Sequence, residues 1–282
     1  VFLVLSVTQF ILGMLGNGFI VLVNGSSWFK NKTVSLSDVI ITNLALSRIV
    51  LLWILLVDGV LMVFFSKVHD EGTVMEIIDI FWTFTNHLSI WLATCLSVLY
   101  CLKIASFSHP TFLWLKWRVS RVVVQMILGA LLLSCASAMS LVHEFKIYSI
   151  LSGIAGNSSI LYPLKSWHYL YIVKLNAGSG LPLMVFLVSS GMLIVSLYRH
   201  HKKMEVHTAG RRDAQAKAHI TVLKSLGCFL ILHVIYILAS PFSITSKSSA
   251  DLLVVFISET VMAAYPSLHS VILILGNPRM KQ

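Results

Sequence analysis

Charge is what this sequence has least of. Only 11% of its 282 residues are Asp, Glu, Lys or Arg, while 57% are hydrophobic. A water-soluble globular domain carries about 25% charged residues, so that class is excluded. Proline is also scarce, with 6 in the chain, which leaves long stretches able to be helical. The 4 cysteines, Cys95, Cys101, Cys135 and Cys228, fall inside apolar stretches or at their ends. With no CxxC and no clustered metal spacing, they read as small buried apolar residues, not as a disulfide framework or a metal site. Walker A, HExxH, nucleophile-elbow and Gly-rich dinucleotide patterns are missing too, so neither an enzyme nor a cofactor is expected. No charged n-region with a small-residue cleavage site precedes the first apolar stretch, which is expected to act as its own targeting signal. Both ends read as trimmed, since the chain starts on Val1 and stops just after PRMKQ.

What is present is length of apolar chain. Seven stretches are long enough to cross a bilayer as helices: 1–24, 37–65, 76–107, 121–145, 173–199, 219–242 and 251–277. The expected fold is an all-α membrane protein, a single seven-transmembrane helix bundle over residues 1–282. Span three is not uniformly apolar. On a helical wheel Asp79, Trp82, Thr83, Asn86, His87, Ser89, Thr94, Ser97 and Tyr100 gather on one side, and Phe81, Phe84, Leu88, Trp91, Cys95, Leu99 and Leu102 fill the other. Lipid cannot satisfy an amide or a carboxylate, so the polar side should face other helices.

The basic excess of 21 Lys and Arg over 11 Asp and Glu invites a nucleic-acid reading, but the cations are placed by topology. Lys30, Lys32, Lys103, Lys116, Arg118, Arg121, Arg199, Lys202, Lys203, Arg211, Arg212, Lys217, Arg279 and Lys281 all fall on one side of the membrane. Lys67, Lys146, Lys165, Lys174 and Lys247 fall on the other. The richer side is cytoplasmic, which puts the N-terminus outside and the C-terminus inside. Membrane lipids are the expected surroundings and nucleic acid is not a partner. Of the sequons at Asn24, Asn31 and Asn157, only Asn157 then lies in an outer loop, and it is the expected glycosylation site.

Ionisable and amide groups inside spans are costly and therefore point to function. Asp58, Asn86 and Glu259 lie roughly 10–15 Å below the outer surface, with Trp82, Thr83, His87 and Tyr236 near them in depth. A small-ligand pocket, an apolar cavity with a few converging polar groups, and plain interhelical pairing both account for this layer. Toward the cytoplasm a second layer holds Asn17, Arg48, His269 and Ser270 beside Pro266. Asn17, the span-seven hydroxyl and carbonyls freed by the proline are the expected acceptors for Arg48. This layer reads equally as a switching network and as a static lock. A transporter or channel would also place charges mid-membrane, but the odd span count and the absence of inverted repeats speak against one.

The inner loops mix basic and apolar residues, as in LYCLKIASFSHPTFLWLKWR, RHHKKM and GRRDAQAKAH, a pattern suited to docking a protein partner. Taken with GNGFIVLVN, LALSR, NHLSIWLATCLSVLYCLKIASFS, FLWLKWR, KAHITVLKS and YPSLHSVILILGNPRMKQ, these segments resemble the type 2, or bitter, taste receptors of the G-protein-coupled class across essentially the whole chain. The resemblance implies an outward-facing pocket bounded by spans three, five, six and seven for bitter small-molecule agonists. Trp82, Asn86, Tyr236 and Glu259 would be its contact positions, Trp82 for stacking, Asn86 for hydrogen bonding and Glu259 for attracting an amine. It further implies a plasma-membrane location and coupling to a heterotrimeric G protein of the gustducin or Gi class. Tyr100, Lys103, His109, Lys116, Arg118, Lys203 and His219 would make that contact. The lack of Asp-Arg-Tyr in span three and of an outer-loop disulfide agrees with that family. Pro278 after Asn277 departs from it. The two halves resemble different members, changing between Gly153 and Asn157.

Overall fold

The computed structural model describes residues 2–31, 35–65, 72–155, 178–205, 224, 227–239, 242 and 252–276, nearly all of them helical. The helices are α1 (Phe2–Asn31), α2 (Leu36–Phe64), α3 (Gly72–Ile104), α4 (Val119–Ala155), α5 (Gly180–Glu205), α6 (Gly227–Ala239) and α7 (Leu252–Gly276). A short helix, Pro110–Trp117, connects α3 to α4. Among the described residues six helices are long and apolar enough to cross a membrane, and α6 is an apolar helix of shorter length. The apolar runs determine these elements, and local chemistry sets their ends. The α2 start has Asp38 in its first turn, where a negative charge meets the positive end of the helix dipole. Pro110 opens the short helix at a position where its missing N–H costs nothing.

Several helices overrun the apolar stretches that specify them. Helix α1 continues past residue 24 to Asn31, and α4 past residue 145 to Ala155. Helix propensity and satisfied backbone bonds carry the turns out of the apolar zone. Asn24, within the span itself, is buried in the bundle, where its amide donates to Thr42 Oγ1 at 3.0 Å. A buried, bonded asparagine is closed to a glycan.

The arrangement is centred on α3, which packs against α2, α4 and α5, while α1 lies on α2 and α7. The most apolar stretch of α3 is 67% buried, against 22% for α1 and α4. Large apolar side chains such as Leu22, Leu132 and Leu253 instead point outward, as they must where the solvent is lipid. The two-faced wheel of α3 holds in its first half, where Phe81 is exposed and Thr83, Asn86 and Ser89 are buried. It fails lower down. Cys95, Leu99 and Leu102 are buried as well as Thr94 and Ser97, because that part of the helix is surrounded on all sides.

Candidate functional site

All seven residues of the upper polar layer are buried: Asp58 on α2, Trp82, Thr83, Asn86 and His87 on α3, Tyr236 on α6 and Glu259 on α7. Their surroundings differ. Thr83 Oγ1, both amide atoms of Asn86 and the Tyr236 hydroxyl have no hydrogen-bond partner among the described residues. A buried amide left unpaired costs about 1–3 kcal/mol, so these atoms represent unused recognition capacity. His87 is directed elsewhere. Its Nδ1 lies 3.1 Å from Ser137 Oγ on α4, which makes it part of the α3–α4 contact. Glu259 lines a narrow crevice of about 20 Å³ together with Ser6, Phe10, Leu52, Leu55, Leu56 and Ala263, on the side formed by α1, α2 and α7. The layer predicted from depth is therefore distributed around the bundle, with Glu259 bordering a crevice that none of the α3 residues lines.

Tyr236 leads downward. Its ring centroid is 5.5 Å from that of Tyr265 on α7, and Tyr265 receives a hydrogen bond from Arg48 Nη2 at 3.5 Å. The Arg48 Cζ also sits 5.3 Å from the centre of the same ring, in cation–π range. Arg48 Nη2 has a second partner in His269 Nδ1. Phe229 on α6 completes the cluster, 4.7 Å from His269, 5.6 Å from His233 and 4.5 Å from Phe186 on α5, centroid to centroid. Helices α2, α5, α6 and α7 thus meet in one aromatic and cationic knot.

The acceptors expected for Arg48 do not receive its donors, and Asn17 Oδ1 has no hydrogen-bond partner among the described residues. Asn17 donates to the carbonyls of Gly13 at 2.8 Å and Pro266 at 3.4 Å, and Ser270 Oγ donates within its own helix to Ser267 O at 2.7 Å. Asn17 and Ser270 serve the α1–α7 contact, with Ser267 Oγ on Gln9 O at 2.9 Å and Gln9 Nε2 on Thr260 O at 3.0 Å. Depth and polarity do not single out Tyr265, Phe229 or Phe186, which the knot also contains. Tyr265 stands four residues before His269, the spacing that stacks two side chains on one helix face, and that was the available signal. The two phenylalanines carried none.

At the short-helix end the connection between α3 and α4 is built, not loose. Lys116 Nζ donates to Ala105 O at 2.8 Å and Ser106 N donates to Ser196 Oγ on α5 at 2.9 Å. Phe107 and Phe112 meet edge to face at 5.2 Å. The Arg118 guanidinium lies over Trp114 at 5.0 Å, while Lys103 and His109 are exposed and Tyr100 is half-buried. Lys116 is thus a clamp before it is anything else. The side chain of Lys203, and His219 and Asn157 entirely, lie outside the described residues.

An all-helical chain with apolar helices of membrane-spanning length and polar groups turned inward is a multi-pass membrane helix bundle. Comparison with known proteins makes the class specific: the chain belongs to the type 2 taste receptor family, whose model, described as taste receptor protein (TAS2R), matches residues 1–282. Taste receptor type 2 member 5 of Pan troglodytes is 50% identical over 285 residues, covering 99% of this chain and 91% of the relative. Taste receptor type 2 member 3 of Homo sapiens is 53% identical over 288 residues, covering 100% and 90%. The corresponding member 3 of Papio hamadryas is 52% identical over 294 residues. The family is that of the bitter-taste G-protein-coupled receptors, so the chain is a receptor and not an enzyme.

Proposed function

We propose that this receptor is activated at the plasma membrane by bitter small molecules that enter the bundle from outside, and that it signals through a gustducin-type or Gi-class heterotrimeric G protein. The observation that carries the ligand site is the unpaired, buried amide of Asn86, with Thr83 beside it on α3 and an unpaired Tyr236 hydroxyl on α6. An agonist offering a matched donor and acceptor satisfies Asn86, and Trp82 supplies an apolar face for stacking. Asp58 and Glu259 are assigned to the outer margin of this centre, and His87, held by Ser137, backs it from the α3–α4 contact. Tyr236 then transmits the occupancy to Tyr265 and so to Arg48, with Asn17, His269 and Ser270 in the responding layer.

With the N-terminus outside, Asn157 carries glycan and the short-helix end faces the cytosol. Lys103, His109, Arg118 and Tyr100 there, with Lys203 and His219, form the G-protein surface, and Lys116 holds its shape. The test is agonist-evoked calcium release in cells supplied with a promiscuous G protein α subunit, using a broad panel of bitter compounds. At least one compound should respond, and Asn86→Ala should shift its potency roughly tenfold or more, as loss of about 1.4 kcal/mol or more of hydrogen bonding requires. Silence across the panel from surface-expressed receptor would overturn the reading. An unchanged dose–response curve in Asn86→Ala would remove Asn86 from the pocket.

A further inference from the structure

On α4 the side chains of Arg121, Val124, Leu128 and Leu132 are all exposed. Spacings of three and four residues put them on one helix face. The three apolar members of this stripe face lipid, so Arg121 stands where the stripe reaches the membrane surface. Just before it, Trp117 is 89% exposed, and Leu113 and Trp114 are exposed as well. Indoles turned outward in this way belong at a membrane–water boundary, which suits both the apolar ring and its N–H. The Arg118 guanidinium, over Trp114 at 5.0 Å, brings a second cation to the patch. A backbone bond from Val122 N to Arg118 O at 2.9 Å carries a helical turn across the junction, leaving Arg118 and Arg121 about one turn apart. Lys116 is already committed to Ala105 O. Residues 80–143 contain no Asp or Glu, so this part of the chain has no carboxylate to neutralise the two arginines.

We propose that Trp114, Trp117, Arg118 and Arg121 bind the headgroup of an anionic phospholipid whose acyl chains lie along Val124, Leu128 and Leu132. Guanidinium forks match phosphate oxygens in geometry and charge, and the two indoles fill the boundary between headgroup and chains. Charge selects the anionic class, because a zwitterionic headgroup brings its own ammonium to a patch that already holds two cations. Continuity selects a lipid over a protein: the patch runs without a break into the lipid-facing side of α4. The proposal shares only Arg118, and the assignment of this end to the cytosol, with the receptor reading. Its test uses no agonist, and lipid presented to the purified receptor reaches this end whichever way the chain is oriented.

The full receptor in detergent is offered an equimolar mixture of phosphatidylserine and phosphatidylcholine, and the retained lipids are counted by native mass spectrometry. Phosphatidylserine should be retained in preference. Arg118→Gln and Arg121→Gln should each weaken that preference about fivefold, the equivalent of about 1 kcal/mol for one basic side chain at an anionic surface. Arg199→Gln, which removes an exposed cation from α5, should leave the preference as in the wild type. Equal retention of the two lipids by the wild type would overturn the proposal. A loss in Arg199→Gln as large as that in Arg121→Gln would overturn it too, since the attraction would then be that of a diffuse positive surface. Unchanged preference in both arginine variants would also overturn it, and if those variants had lost G-protein nucleotide exchange, the face would be a protein-docking surface. Should one variant fail to fold, the other decides by the same fivefold change.

Discussion

Replacing Gly16 with alanine tests the α1–α7 contact at its tightest point. A Cβ built at Gly16 stands 2.4 Å from Ser270 Oγ and 3.2 Å from Ser270 Cβ, where ordinary contact begins near 3.4 Å. The hydroxyl is therefore about 1 Å too close, and it is held by a 2.7 Å bond to Ser267 O. Either Ser270 gives up that bond or α1 moves off α7 and takes the Asn17 and Gln9 bonds with it. Overpacking of this kind costs about 1–3 kcal/mol, and an interhelical bond in a membrane averages about 0.6 kcal/mol. Alanine also gains helix propensity over glycine, by up to about 1 kcal/mol, so the comparison must cancel that term. Gly18 lies two residues further on the same helix with nothing within 4 Å, and Gly18→Ala supplies the control. The unfolding midpoint of Gly16→Ala should fall below that of Gly18→Ala by an amount equivalent to about 1–3 kcal/mol, or roughly 2–4 °C per kcal/mol. Adding Ser270→Ala removes the offending oxygen and should recover most of the difference, a favourable coupling in a double-mutant cycle. Equal midpoints for the two glycine variants would refute the close approach of α1 to α7. A double variant as weak as Gly16→Ala would place the clash somewhere other than Ser270.

Two further outcomes follow from packing. Cys95 and Cys101 are buried in α3, whereas Cys135 and Cys228 are exposed on α4 and α6; a lipid-permeant maleimide should label the latter pair in the folded receptor and all 4 after unfolding, read by intact mass. Adducts on Cys95 before unfolding would contradict the central position of α3. Ser97 Oγ meets Ser189 Oγ at 2.7 Å and Ser190 Oγ at 3.0 Å, so Ser97→Ala should lower stability by about 0.6–1.7 kcal/mol. Ser189→Ala should add little to it, because both substitutions remove the same α3–α5 bond, and full additivity in thermal unfolding would show the two hydroxyls to be independent.

Much of the candidate site was legible because a membrane makes polar residues conspicuous. Asn17, Arg48, Asp58, Asn86 and Glu259 stand out in apolar runs, and each is buried in the structure. Their partners were not legible. His87 has the depth of a pocket residue, yet its Nδ1 meets Ser137, fifty residues on. Arg48 was expected to reach Asn17 and a serine, and it takes Tyr265 and His269 instead, because those two side chains project from one face of α7 toward α2. Nothing about Phe229 distinguishes it from a lipid-facing phenylalanine such as Phe242, which is 60% exposed, until α6 is rotated into place.

The sequence by itself determined the elements: apolar helices of spanning length, the bias of Lys and Arg to one side, and the residues too polar to face lipid. Those properties are local, since a bilayer judges each segment by its own length and polarity. Neighbours were decided only by the tertiary structure. The placement of α3 at the centre, the seating of Gly13 and Gly16 against α2 and α7, and the meeting of Arg48 with Tyr265 depend on the order and rotation of helices far apart in the chain. Lipid gives no hydrophobic force to choose among such arrangements, so close packing and a few interhelical bonds make the choice, and those exist only once the helices have met.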